Sequence, residues 1–191
     1  SGASETLSGK IDLSSASSVD GNTGAVTVNS GSTLRSSSGS LELKSGDASS
    51  NSGSVNIISG SADAGGNAII HAGQSNSAAG GNAMIESGAS LLERSGDLNI
   101  SSATSNKSGD VTITSGIGNS GPSGSLTFAT GSSSGNTAGE VLISAGVSST
   151  SMGSSVSVYG GNSIANLNGG GIDIIAGSSF GGSSGGSIKV S

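Results

Sequence analysis

Cysteine and tryptophan are absent from this 191-residue chain, proline occurs once, and aromatic residues make up 2%. Without cysteine there can be no disulfide, no thiolate metal site and no cysteine nucleophile, so any order must come from packing and hydrogen bonding alone. Charged residues are also sparse, at 9% with a net charge of −6 and no basic cluster. The electrostatic footprint of a nucleic-acid binder is therefore missing. No apolar run approaches the length of a membrane span. The first residues, Ser1-Gly2-Ala3-Ser4-Glu5, have neither a basic start nor a hydrophobic region, so an export signal is expected to have been removed or to lie outside these residues.

What is there instead is serine and glycine, 50 and 36 residues respectively. Composition of this kind reads as low complexity and disorder. A regular pattern of aliphatic residues points the other way. The stretch Ser-Gly-Asp-Val-Thr-Ile-Thr-Ser-Gly-Ile at 108–117 is the clearest copy of a unit that recurs thirteen times. Its first aliphatic, here called position 1, falls at Ile11, Val26, Leu41, Val55, Ala68, Ala83, Leu98, Val111, Leu126, Val141, Val156, Ile172 and Ile188, in steps of 13 to 16 residues. Position 3 repeats the choice, as in Leu13, Val28, Ile57, Ile113, Phe128 and Ile174. Aliphatics two apart point to one face of an extended segment.

Two glycine columns punctuate each unit. One stands at position 6, with Gly in ten of twelve complete units and Ala at Ala16 and Ala103, and the other two residues before position 1, as at Gly66, Gly81 and Gly109. They read as two repeated corners that need positive φ or close backbone approach. Position 5 is small almost throughout, as in Ser45, Ser59, Ala72, Ser87 and Ala176. Around position 9 another apolar residue sometimes appears (Val19, Leu34, Leu91, Ile164, Phe180), hinting at an opposing, thinner sheet. Pro122, the only proline, falls in a return segment where it costs no ladder bond. The fold class expected from this pattern is all-β, a parallel β-solenoid of about thirteen coils of 13–16 residues, flattened and two-sided, with residues 1–191 forming a single domain.

One such coil could not stand alone. Burying two aliphatics contributes about 3–6 kcal/mol, whereas ordering some fifteen residues costs on the order of 15–30 kcal/mol of backbone entropy. Stacking between neighbours has to supply the difference. In that register Ile113 is buried, and Ile113→Asp is expected to prevent folding.

Several residues carry candidate chemistry. His71 and Glu86 occupy position 4 of successive units and Lys44 the same position two units earlier. A solvated cross-coil pair is the expected reading, since general acid/base work needs a cleft. Asn67, Asn82, Asp97 and Asp110 hold successive copies of the position before the strand. Asp97 and Asp110 are the weak candidates for a metal, calcium being the cation that accepts such oxygens, though turn capping explains the column more cheaply. Asn99-Ile100-Ser101 and Asn106-Lys107-Ser108 are N-glycosylation sequons at Asn99 and Asn106. No catalytic residue and no cofactor is implied. Ile58, Ile69 and Met84, with Leu142, Tyr159 and Ile175, are the expected interface, because contiguous outward-facing apolar residues mark one.

The repeats, best seen in Gly-Asp-Val-Thr-Ile-Thr-Ser-Gly (109–116) and Gly-Ser-Val-Asn-Ile-Ile-Ser-Gly (53–60), resemble the Ser/Gly-rich β-solenoid arrays of secreted and cell-surface proteins. A weaker likeness is to the insect β-solenoid antifreeze proteins, whose ice-binding faces repeat Thr-x-Thr; only Thr112/Thr114 completes that motif here. These likenesses imply a non-enzymatic, extracellular or cell-surface structural protein, a glycoprotein forming a fibre by coil-on-coil stacking. Ice binding is the alternative and a carbohydrate-active enzyme the third reading. The expected partner is the chain itself, end to end and laterally. Joining Ile188-Lys189-Val190-Ser191 to Ser1-Gly2 reproduces the pattern of residues 111–116, from which either a longer array or head-to-tail association is expected.

Overall fold

A computed structural model of the chain describes residues 8–165 and 167–190. It divides the chain into two units, Ser1–Leu98 and Asn99–Ser191. The same local motif builds both. An arm without regular secondary structure carries positions 1 to 4 and runs into a loop that bends. In the first unit the bends fall at 19–21, 34–36, 49–50, 62–64, 76–78 and 91–93; in the second, at 105–107, 119–121, 134–136, 149–151, 164–165 and 180–183.

Alternating side chains flanked by glycine predict that these arms are strands. They are not strands. Among the described residues there is no helix and no strand, which overturns the all-β expectation: the chain is not a parallel β-solenoid, and the β-helix description goes with it. The reason is the missing ladder. A strand exists only when its amides and carbonyls pair with a neighbour about 4.8 Å away, and none of the backbone hydrogen bonds among the described residues joins one arm to another. The aliphatic columns consequently have no lid. Position 1 residues are about half exposed, from 50% at Ile172 to 55% at Leu41, except for Ile11 at 78%, and position 3 runs from 52% at Ile113 upward. Among the described residues no hydrophobic side chain is buried. The chain exposes 19020 Å², where a compact protein of this mass would expose about 8,000 Å² and its fully unfolded form about 26,000 Å².

The residues around position 9 face water too. Val19, Leu34, Leu91, Ile164 and Phe180 sit at the bends with exposures of 97–106%, so the second, opposing sheet that they suggested is not formed.

Five of the loops are closed at the base by a backbone hydrogen bond. Across the loops of the first unit the amides of Gly66, Gly81 and Gly96 donate to the carbonyls of Gly60, Gly73 and Gly88 at 3.1, 2.9 and 2.9 Å. In the second unit Gly170 and Gly186 donate to Gly161 and Gly177, both at 2.8 Å. The two glycine columns are thus the two sides of one closure. The same geometry explains the small residue at position 5. A methyl group placed on Gly53, Gly66, Gly81 or Gly96 would lie 3.5–3.7 Å from the Cβ of Ser45, Ser59, Ala72 or Ser87. Seven of the eight half-buried residues are at position 5: Ser45, Ser59, Ser87, Ser102, Ala145, Gly160 and Ala176.

Positive φ is not the reason for these glycines; among the described residues only Gly182 has it, at 82°. Close approach is, and only on one side of the closure. A Cβ on Gly81 would meet the Gly73 amide nitrogen at 3.3 Å, whereas a Cβ on Gly73 would meet nothing within 4 Å. Ala16 and Ala103 occupy the open side, where a methyl fits. Gly81→Ala is therefore expected to loosen its loop and speed exchange of the residue-81 amide several-fold. Gly73→Ala is expected to leave that rate unchanged; residue-resolved hydrogen exchange followed by NMR checks both.

Candidate functional site

The most organised polar feature lies in the loops rather than on the arms. At position 8 the chain carries Ser or Thr in nine of twelve units: Ser18, Thr33, Ser75, Ser90, Ser105, Ser133, Ser148, Ser163 and Ser179. Just ahead of the bend, a short hydroxyl can accept from amides two or three residues on without distorting the chain. In the first unit, Ser18 Oγ accepts from Gly21 N at 3.0 Å, Ser75 Oγ from Ala78 N at 2.9 Å and Ser90 Oγ from Glu93 N at 2.9 Å. In the second, Ser133 and Ser148 accept from Asn136 N and Ser151 N, each at 3.1 Å. Ser163 inverts the role and donates to the Ala165 carbonyl at 3.0 Å. Sequence reasoning passed over this column, although its signal, a hydroxyl at one fixed position of most units, was present. The other three units carry Ala48, Ala62 and Gly118 at position 8; the glycine is explained by crowding, since a Cβ there would overlap the Gly121 carbonyl oxygen.

Charged side chains pair only with near neighbours. Arg94 Nη2 donates to both carboxylate oxygens of Asp97 at 2.7 Å. Lys10 and Lys44 reach Asp12 at 2.9 Å and Asp47 at 3.4 Å. All six groups are largely exposed, and pairs in water contribute no more than about 1 kcal/mol. His71 and Glu86 are not among the ion pairs of the described residues, so the cross-coil pair expected from their shared position is not formed. Asp97 is occupied by Arg94, and no group of three His, Asp or Glu residues gathers among the described residues, Asp97 and Asp110 included. Asn99 lies on an arm and Asn106 at the bend of 105–107, both exposed.

The six expected interface residues face solvent in this single chain: Ile58 86%, Ile69 69%, Met84 78%, Leu142 77%, Tyr159 85% and Ile175 86%. Ser1, Gly2 and Ser191, which carry the expected end-to-end join, lie outside the described residues. No cavity forms among the described residues, and none of them belongs to a helix long and apolar enough to cross a membrane. No protein-family model, curated protein or solved structure matches the chain.

The hydroxyl column has a direct consequence. Ser75→Ala and Ser90→Ala remove the acceptors of the Ala78 and Glu93 amides, whose exchange should rise several-fold, while Ser75→Thr, which keeps the hydroxyl, should stay near the native rate. Equal rates in all three variants, measured by NMR, would remove the hydroxyl from the account of these loops.

Proposed function

We propose that this chain is a non-enzymatic structural protein of the extracellular space or cell surface that works by associating with copies of itself into a fibre. The observation that carries this reading is the aliphatic pair at positions 1 and 3, repeated along the chain and left half exposed or more in every unit where it is large. Exposed apolar residues standing singly need no explanation, whereas a contiguous series of them marks an interaction surface. Repetition itself favours a mechanical rather than a chemical role. A catalytic or binding centre concentrates unlike groups at one place, whereas here the same two groups recur unit after unit. The extracellular placement rests on the likeness of the Ser/Gly-rich repeats to those of secreted and cell-surface proteins. The coil-on-coil stacking expected from sequence is no part of this proposal, since the arms are not strands.

Electron microscopy of the purified chain across a concentration series tests the reading, with filaments as the expected outcome. Dispersed chains at every concentration would overturn it. Thermal hysteresis or release of sugar from polysaccharide in the same preparation would put ice binding or carbohydrate chemistry in its place.

A further inference from the structure

We infer that Asn168 is a site of self-modification, at which the backbone amide of Gly169 attacks the Asn168 side chain and converts it, without an enzyme, to aspartyl and isoaspartyl forms. The inference is independent of the structural reading above.

The reaction needs only the two neighbours and water. The Gly169 nitrogen bonds to Asn168 Cγ, the Cγ–Nδ2 bond breaks, and the proton lost by Gly169 leaves with Nδ2 as ammonia, which closes a succinimide ring. Water then adds across one of the two ring C–N bonds, its hydroxyl going to the carbonyl carbon and its proton to the nitrogen. Opening at Cγ gives aspartate, and opening at the main-chain carbonyl gives isoaspartate. Attack is intramolecular, so the reactants are already held together. A glycine puts no Cβ beside the attacking nitrogen, and Asn168-Gly169 is the one Asn-Gly pair in the chain.

Hydrogen bonding is what separates this pair from its nearest counterpart. Asp20-Gly21 is the one Asp-Gly pair, and it can form the same ring with loss of water instead of ammonia. There Gly21 N donates to Ser18 Oγ at 3.0 Å, a bond that has to break before the nitrogen can attack. In the loop at 161–170 the hydrogen bonds stop on one side of the pair and resume on the other. Ser163 Oγ and Leu167 N donate to the Ala165 carbonyl at 3.0 and 2.7 Å, and Gly170 N donates to the Gly161 carbonyl at 2.8 Å. Between them, Gly169 N is a donor in none of the hydrogen bonds among the described residues. Asn168 and Gly169 are both exposed, so water for the second step is at hand.

The product bears on the loop closure. Isoaspartate adds a methylene to the backbone just ahead of Gly170, whose amide closes the loop. Either product also adds a carboxylate to a chain whose net charge is −6.

Timed incubation of the full chain at mildly alkaline pH, followed by digestion, mass spectrometry and isoaspartyl methyltransferase labelling, tests the inference, with a synthetic peptide of residues 167–171 as the clock. By the time the peptide has reacted, residue 168 should have exchanged its amide for an acid ahead of every other asparagine, and NMR should show the residue-170 amide exchanging several-fold faster. Asn168→Gln, whose longer side chain closes a ring far more slowly, should show neither change. Asp20→Asn places an Asn-Gly pair at the held amide. With Ser18 present, residue 20 of that variant should lose ammonia at least threefold more slowly than residue 168, and adding Ser18→Ala should bring the two within twofold. An Asn168 that outlasts the peptide more than tenfold overturns the inference, as does residue 20 of Asp20→Asn reacting as fast as residue 168 while Ser18 remains.

Discussion

The closure found at the base of five loops among the described residues is the interaction on which their local order depends. It joins two glycine backbones by one hydrogen bond and lets a small side chain at position 5 rest beside the second glycine. Its energetics are narrow. Bringing together the ends of a loop of six to nine residues costs about 1.6–1.9 kcal/mol in the length-dependent part of the chain entropy, while one amide–carbonyl bond returns only about 0.5–1.5 kcal/mol net of water. In two of the closed loops, at 73–81 and 88–96, the Ser75 and Ser90 hydroxyls add a second hydrogen bond inside the loop and so act in that margin. The abundance of serine and glycine thus has a local structural meaning: glycine where backbones approach, a short hydroxyl where the chain bends, and a small side chain opposite the glycine.

Much of this was legible in the sequence, because it is local. The period, the two glycine columns and the small position 5 all follow from residues within a few positions of one another. The reason assigned to the glycines was half right. Close approach at Gly81 is real, while the positive φ expected of the columns is found only at Gly182. Gly73 stands in open space, as the alanines at its position in other units already implied.

The non-local part was misread. Alternation at Val111-Thr112-Ile113 specifies an extended backbone and one apolar face, but it does not say what lies against that face. Stacking successive units was one answer; the structure leaves Ile113 52% exposed instead. A charge at this site would therefore meet water rather than a core, and the severe cost expected of Ile113→Asp disappears for the single chain. The bend residues failed for a related reason. Val19 and Leu34 were read as a second sheet because apolar residues usually seek cover, yet isolated ones are tolerated at a surface.

Repeat proteins gain stability as a sum of terms within each unit and terms between neighbours. In this chain the term within a unit is close to zero, as the balance at the loop closure shows, and the arms contribute no hydrogen-bonded term between neighbours. Two apolar side chains per arm, half exposed or more where they are large, would add only a small increment apiece if covered, of order 1 kcal/mol or less at about 25 cal/mol per Å² of newly buried surface. No single arm could therefore repay the backbone entropy of ordering its own unit.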